Sequence, residues 1–372
     1  MAESSSSSAC TVTITDIRRA GRAVVAALHP AAAGAAKDSS EAVELTSAGQ
    51  LVRGDTAVAP SLPEGSSASS IAQAVVVDDP PAVIMAHNDG TITRRPIGAG
   101  ADAVQGAKVL RWKSHHKTAP LIGVSNANNQ LWVVESPDSP PTVLDAITLQ
   151  PSADEPTNGL TDQQNAALAP IRCLVVAPWQ PWAITAHVNG DFVSWKTGSG
   201  SDSAGIRPIW SSVQRHSGEP NAARAAAAST CVAIAPDNSL LACNDATTGE
   251  LIVMDTVSMG PFRTFNPRGA SGAAATMSSV VFSPTQFWIA CAIGPHVVAY
   301  DMTVREEQIP FIDTAASPAD TPAHVTTIGA AGTSSTATIT SLAFAASGTT
   351  LVAVREDGSV MRIAVTGDPS RR

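Results

Sequence analysis

The sequence SVVFSPTQFWIACAIGPHVVAYDM, residues 279–302, contains three short apolar runs separated by turn residues. Val280 and Phe282 alternate with other residues before the turn at Ser283-Pro284, and a second apolar run precedes Gly294-Pro295. A third run ends at Tyr300-Asp301. Short apolar runs bounded by Pro, Gly and Ser are typical of strands joined by tight turns. The stretch therefore predicts a three-stranded antiparallel meander.

The same pattern recurs along the chain, most plainly in residues 231–255 and 339–365. A third unit is predicted from strands at 108–112, 121–125 and 131–134. The shorter steps between equivalent turns are about 40–45 residues, the length of one blade of a β-propeller. The equivalent turns fall near Gly49, Gly90, Asn129, Gly190, Gly249, Gly294 and Gly358.

These repeats predict an all-β fold, a seven-bladed WD-repeat β-propeller. Residues 11–15, TVTIT, form a β-rich segment before the first unit. An N-terminal strand can complete the last blade and so protect its sheet edge, which is the role we expect for this segment. The predicted propeller spans 11–366, with a flexible N-terminus at 1–10 and a tail at 367–372. Inserts near 137–163, 198–228 and 311–336 are rich in Ala, Ser and Pro, and we expect mobile surface loops there.

Composition narrows the class of protein. Of 372 residues, 44% are hydrophobic, which is enough for a core, and the net charge of −9 argues against a general nucleic-acid binder. No apolar run is long enough to predict a membrane span, and the N-terminal residues do not resemble a secretory signal. The five cysteines are scattered and show no metal-ligand spacing, which favours reduced, buried thiols. We expect a cytoplasmic protein that does not bind a membrane.

Residues that could support catalysis do not form a recognisable pattern. His115 and His116 are adjacent, so a strand would place them on opposite faces, and His87, His187 and His296 lie beside predicted turns, where a solvent-facing or locally bonded ring is expected. We therefore expect no enzymatic activity, no cofactor, no metal and no small-molecule substrate. A propeller hydrolase, the remote alternative, would need polar groups that converge at the central channel. Five aspartates recur with the repeats and are expected to brace turns: Asp89, Asp191, Asp255, Asp301 and Asp357.

The segments 236–255 and 280–302 resemble the fifth and sixth blades of the family of the receptor for activated C kinase. This family is a seven-bladed WD-repeat scaffold bound near the mRNA exit of the small ribosomal subunit. The resemblance covers about 171–311 and 339–365. The family motif, a Ser-Pro turn followed by aromatic-Trp, then Cys, then aromatic-Asp, is matched by Ser283, Pro284, Phe287, Trp288, Cys291, Tyr300 and Asp301.

The resemblance implies a non-enzymatic scaffold linking translation to signalling, with small-subunit proteins, ribosomal RNA and signalling proteins such as kinases as partners. The chain departs from the family in two ways. The Gly-His dipeptide of WD repeats is missing, so their His–Ser/Asp–Trp network cannot form in its usual way. The family's basic docking pair is also missing, because the matching segment, 47–50, is Ser-Ala-Gly-Gln.

Other basic residues could replace that docking pair, since contacts to phosphate need positive charge within reach of RNA. An alternative is that the basic residues are solvated surface charges. Trp112, which lies between Arg111 and Lys113, could stack on a base or could be a core residue. The candidate RNA or ribosome contacts are Arg18, Arg19, Arg22, Arg53, Arg94, Arg95, Arg111, Lys113 and Lys117. A second hypothesis is a diverged paralogue that acts as a scaffold in a non-ribosomal signalling or cytoskeletal complex.

Overall fold

The computed structural model describes residues 11–17, 24–28, 43–46, 51–53, 56–57, 71–78, 80–96, 109–152, 156, 160–166, 168–197, 209–211, 231–245, 248–258, 260–267, 276–304, 312–314, 336–345 and 347–366. These residues are almost all β and form seven small antiparallel sheets. The fold is therefore consistent with a β-propeller. The expected N-terminus 1–10 and tail 367–372 lie outside the described residues.

The strands are numbered in chain order, and the first, β1 (Thr11–Ile17), belongs to the last sheet. Sheet 1 consists of β2 (Val24–Leu28), β3 (Val43–Thr46), β4 (Leu51–Arg53) and β5 (Thr56–Ala57). Sheet 2 consists of β6 (Ile71–Asp78), β7 (Pro81–His87), β8 (Thr91–Pro96) and β9 (Leu110–Lys113). Sheet 3 consists of β10 (Leu121–Ser125), β11 (Gln130–Val134) and β12 (Thr142–Asp145). A 3-10 helix, Asn126–Asn128, lies between β10 and β11, and helix α1 (Asp162–Ala166) follows sheet 3.

The later sheets repeat this order. Sheet 4 consists of β13 (Ile171–Val176), β14 (Trp182–His187), β15 (Asp191–Lys196) and β16 (Ile209–Ser211). Sheet 5 consists of β17 (Val232–Ile234), β18 (Leu240–Asn244), β19 (Leu251–Asp255) and β20 (Pro261–Phe265). Sheet 6 consists of β21 (Met277–Phe282), β22 (Trp288–Ile293), β23 (His296–Asp301) and β24 (Ile312–Asp313). Sheet 7 consists of β25 (Ile339–Phe344), β26 (Thr350–Arg355), β27 (Val360–Thr366) and β1.

The N-terminal strand has the expected role. β1 pairs antiparallel with β27 over its whole length, from Thr11 opposite Thr366 to Ile17 opposite Val360. It is the outermost strand of sheet 7, next to the last strand of the chain. A strand from the start of the chain thus covers an edge that β27 would otherwise expose.

The first strands of neighbouring sheets contact each other. The contacts join β2 with β25, β2 with β6, β6 with β10, β10 with β13, β13 with β17, β17 with β21, and β21 with β25. The core lies between the sheets, where alternate side chains of adjacent blades interdigitate. The opening stretch supplies much of it, because Trp288 packs against the side of sheet 7 and Ile289 against that of sheet 5.

Two expectations need correction. Residues 108–112 were expected to form the first strand of the third unit, but Leu110–Lys113 pair with β8 as the outermost strand of sheet 2. Sheet 3 begins at Leu121, so Asn129 lies between its first and second strands and not between its last two. The inserts are also not loops throughout, because they contain β12, α1, β16 and β24. The missed outer strands are only two to four residues long, so they lack the longer apolar run that marks inner strands.

Candidate functional site

A cavity of about 730 Å³ lies on the side of sheets 3 and 4 where their second strands end. Its walls are a proline-bearing loop after β11 and the segment around α1, and the backbone amide of Ile171 donates to the Pro137 carbonyl at 2.6 Å across its base. We call it the proline pocket. Its lining residues are Pro137, Asp138, Ser139, Pro140, Pro156, Leu160, Asn165, Ala166, Leu168, Ala169, Ile171, His187 and Trp195.

A buried chain of hydrogen bonds supports this pocket. Trp195 Nε1 donates to Thr185 Oγ1 at 2.9 Å, and Thr185 Oγ1 lies 2.9 Å from His187 Nε2. His187 Nδ1 lies 2.5 Å from the Ala169 carbonyl, so it carries the proton and Nε2 accepts from the threonine. Burial lowers the pKa of His187, partly opposed by the Ala169 contact and by Asp191. The ring is therefore a neutral structural group that fixes the pocket wall to sheet 4.

Sheet 2 has a related arrangement with different residues. His87 is buried, and its Nε2 lies 2.8 Å from Thr93 Oγ1, on the neighbouring strand β8. In sheet 4, Trp195 stands five residues after the turn glycine Gly190. The equivalent position in sheet 2, five residues after Gly90, is Arg95. The usual His–Ser/Asp–Trp network was expected to be lost, and the chain instead places a histidine at the end of the second strand of each of these two sheets. Both rings are locally bonded, as expected for residues beside turns, but neither faces solvent.

An ordered basic loop lies beside the pocket. It comprises part of β9 and the residues that follow it, and we call Arg111, Lys113, His115, His116 and Lys117 the basic loop; all five side chains are exposed. Ser114 anchors it, because its buried hydroxyl donates to Glu135 Oε2 at 2.6 Å and its amide donates to the Gly90 carbonyl at 3.0 Å. A side chain at Gly90 would meet the His116 carbonyl, so the loop packs tightly on that turn. Glu135 precedes the pocket loop and joins the two features.

The structure separates the candidate contact residues into groups. Arg111, Lys113 and Lys117 are exposed together, as a contact with RNA or an acidic protein requires. Arg94 and Arg95 were expected among the contacts, but they are 6% and 0% exposed, so they do not reach a partner from this position. Both lie on β8, the third strand of sheet 2, which β9 covers. Burial lowers the pKa of Arg95 to about 10.

The remaining basic candidates lie outside the described residues or on β4. Arg18, Arg19 and Arg22 lie outside the described residues, as does the segment 47–50. Arg53 lies on β4, with its backbone paired to Thr56. Trp112 is half-buried and packs against the core between sheets 2 and 3, as the core interpretation predicts.

The family-signature residues were expected to be structural, and most of them are buried. Ser283 is buried, and Trp288 and Tyr300 are core residues; the Tyr300 ring stacks on Phe265 with centroids 4.3 Å apart. Phe287, by contrast, is 40% exposed. Pro284 lies half-buried in the same turn.

The recurring aspartates brace turns, as predicted. Asp301 Oδ1 accepts from the Thr303 amide at 2.8 Å, and Asp357 Oδ1 accepts from the Ser359 amide at 2.9 Å. Asp89 and Asp255 accept from the amides of Thr91 and Ser258 in the same manner. The Asn189 side chain donates to Asp191. These backbone hydrogen bonds lower the pKa of Asp89 and of Asp255.

A second cavity, of about 330 Å³, lies where the first strands of sheets 2 to 6 meet. Its described lining is mostly small or apolar and includes one charged residue, Arg172, together with Cys173 and Cys231. Burial raises the pKa of Cys173 to about 11, so its thiol is a poor nucleophile at neutral pH. No cluster of metal-ligating side chains occurs among the described residues, and no described helix is long and apolar enough to cross a membrane.

The sequence matches no family model and no curated protein. Solved structures do match: a chain described as the structure of U3-55K, a WD40 β-propeller protein, superposes with a TM-score of 0.61 at 14% identity, covering 94% of this chain and 98% of that chain. In all, 1329 solved chains are similar, so the fold is widespread and does not itself select a partner. The comparison shows the fold alone: the seven small antiparallel sheets fit a WD-repeat-like β-propeller.

Proposed function

We propose that the chain is a closed, seven-bladed propeller spanning 11–366 that acts as a non-enzymatic scaffold for protein–protein interactions, and that the small ribosomal subunit is one of its partners. The contacts between first strands support the closed ring, because they connect each sheet to the next and sheet 7 to sheet 1. The meeting of five first strands at one cavity also supports it. Such a ring displays its turns rigidly on two opposite faces.

The observation that carries the docking proposal is the ordered basic loop. Its backbone is held by the bonds of Ser114 to Glu135 and to the Gly90 turn, so little backbone ordering entropy is lost when a partner binds. The net charge of −9 makes this local concentration of positive charge distinctive. A phosphate backbone or an acidic protein surface fits it, and the adjacent proline pocket offers an apolar anchor. The resemblance to the receptor for activated C kinase makes the small subunit, with its RNA and proteins, the first such surface to test, and signalling proteins such as kinases the next.

Sedimentation tests this proposal. The tagged full chain is followed through a sucrose gradient of its source-cell lysate at low salt, with and without RNase. We expect the unaltered chain to co-migrate with small subunits. A variant that carries R111E, K113E and K117E should lose this co-migration. K196E should retain it, because Lys196 lies at the end of sheet 4 that faces away from the basic loop and the proline pocket. Sedimentation of the unaltered chain away from small subunits would overturn the ribosomal proposal.

The altered first blade favours the second candidate, a scaffold in a non-ribosomal signalling or cytoskeletal complex. The segment 47–50 lacks the basic pair through which the family docks. In that case the chain forms a stable complex that does not depend on RNA, and substituting Arg18, Arg19 and Arg22 with Glu leaves this complex intact. A complex that RNase dissolves would exclude this candidate.

A further inference from the structure

The face of the molecule opposite the basic loop carries exposed aromatic side chains. In an antiparallel four-stranded sheet, the turn between the first and second strands and the turn between the third and fourth strands lie at the same end. Sheets 5 and 6 show this directly: the amide of Thr256 donates to the Ser239 carbonyl, and that of Met302 to the Phe287 carbonyl, each at 2.9 Å. The basic loop packs instead on the Asn88–Gly90 turn, between second and third strands.

Four of the five large apolar side chains that are exposed in the described residues lie at this face, three of them in turns and Phe262 near the start of β20. Val257 is 79% exposed, Phe262 is 45% exposed and Phe287 is 40% exposed, and Trp179 lies in the corresponding turn of sheet 4. Phe262 and Phe287 belong to different sheets, yet their rings meet edge to face with centroids 6.2 Å apart. Exposed apolar groups that cluster in this way mark interaction sites. We call Val257, Phe262, Arg263 and Phe287 the aromatic ledge.

Arg263 supplies the charge of the ledge. Its guanidinium lies over the Phe262 ring, 5.6 Å from the centroid, and Nη1 donates to the Val304 carbonyl of sheet 6. The side chain is half-buried and therefore held in place. A guanidinium has five N–H donors in a planar fork, so donors remain for a carboxylate of a partner.

The carboxylates on this face are directed to their own turns. Asp255 Oδ1 accepts from the amides of Val257 and Ser258, at 3.1 and 2.6 Å, and Asp237 accepts from Ser239. Among the described residues, Arg263 is therefore the charged group that lies against the aromatic pair. The ledge therefore complements an apolar ligand group that has a carboxylate close to it.

We propose that the aromatic ledge is a second docking site, which binds an extended protein segment in which a carboxylate lies within about three residues of a large apolar side chain. The apolar side chain packs against Phe262 and Phe287, and the carboxylate pairs with the Arg263 guanidinium. This site is independent of the basic loop and does not require ribosome association. A scaffold with one site on each face can hold two partners at once.

A peptide library displayed on phage, selected on the immobilised full chain, tests this proposal. We expect enriched peptides that combine Asp or Glu with Phe, Leu or Trp at that spacing. A synthetic copy of the best peptide, labelled for fluorescence anisotropy, should bind at least about tenfold more weakly to F287A and several-fold more weakly to R263Q. V188A is the matched control, because Val188 is equally exposed, at 41%, but lies on the other face.

Thermal denaturation of each variant checks that the fold is retained, and Phe262→Ala provides an independent variant if F287A unfolds. Several results would overturn the proposal. These are a library without enrichment, enriched peptides that are basic, or affinity unaffected by R263Q and by both aromatic variants. The proposal would also be overturned if the library selected no peptide and the unaltered chain bound anionic phospholipid vesicles while R263Q did not. The ledge would then be a site for a membrane surface.

Discussion

The Ser283 hydroxyl donates a hydrogen bond of 2.8 Å to the carbonyl of Gly348, which joins the first turn of sheet 6 to the first turn of sheet 7. Ser125 makes the equivalent bond between sheets 3 and 4, with its hydroxyl 2.9 Å from the Gln180 carbonyl. A serine at the end of a first strand thus ties one blade to the next. The Ser-Pro turn in the opening stretch marks this contact as well as a change in chain direction.

Replacing Ser283 with Ala should lower the free energy of unfolding by about 1–3 kcal/mol, because the buried Gly348 carbonyl and the Gln286 amide both lose a partner. Urea denaturation followed by tryptophan fluorescence measures the change. Thr285→Val is the control, since its hydroxyl bonds the Ser347 carbonyl at an exposed position and should matter less. Equal losses in the two variants would contradict a special role for Ser283.

Gly348 should be far less tolerant of Ala than Gly294 is. Both have positive φ, 71° and 54°, so both pay the backbone cost of that conformation. A Cβ at Gly348 would lie 2.0 Å from Thr285 Oγ1 and 2.6 Å from Ser283 Oγ, whereas one at Gly294 would meet nothing within 4 Å. The difference in urea midpoint between G348A and G294A therefore measures the cost of the clash between the added Cβ and the Thr285 and Ser283 side chains. Similar midpoints would show that the sheet 6–sheet 7 contact is loose.

The repeat period and the inner strands could be predicted from the sequence, because buried strands such as Trp288–Ile293 have continuous apolar runs. Most of the outer strands could not. β1 was predicted from its β-rich sequence, and 108–112 was predicted as a strand but placed in the wrong unit, because β9 alternates half-buried and exposed residues and has no continuous apolar run. The buried roles of His187 and Arg95 were also hidden, because the sequence alone does not show which groups surround a polar side chain. The Ala169 carbonyl that bonds His187, for example, is 18 residues away along the chain.

Stability should fall as the pH decreases below about 6.5, the ordinary pKa of histidine. Burial lowers the pKa of His87, His187 and His296, so the unfolded chain binds protons there that the folded chain excludes. Their contribution is present above pH 6.5 and is lost as pH falls towards the lowered values. Asp89 and Asp255 act only in a more acidic range, since hydrogen bonds from turn amides lower their pKa values below 3.8.

The His187→Gln variant separates the contribution of His187 to this pH dependence from those of the other groups. Its unfolding free energy should be lower at pH 7.5, where the bond to Thr185 is lost, but should change less between pH 7 and 5 than that of the unaltered chain. Denaturation curves at matched ionic strength measure this slope. An unchanged slope would show that His187 does not contribute to the pH dependence.

The buried thiols should resist modification in the folded protein. Cys231, Cys243 and Cys291 are buried, and burial raises the pKa of Cys291 and of the half-buried Cys173. Brief treatment with iodoacetamide at pH 7.5, followed by peptide mass spectrometry, should leave all four unmodified and label them fully in urea. Rapid labelling of Cys291 without denaturant would contradict its core position.

Removal of β1 should destabilise the fold and promote self-association. A chain that begins at residue 18 loses the pairing with Val360–Thr366 and exposes the edge of β27, whose apolar residues alternate towards the core. A chain that begins at residue 11 keeps the strand and serves as the control. Size-exclusion chromatography and thermal denaturation should show a lower melting temperature and larger species in the first chain alone.

A synthetic peptide of residues 9–18 should partly restore the stability of the shortened chain, because β1 is held in sheet 7 by its pairing with β27 and the chain does not run directly from β27 to β1. Equal melting temperatures for the two chains would show that β1 does not stabilise sheet 7.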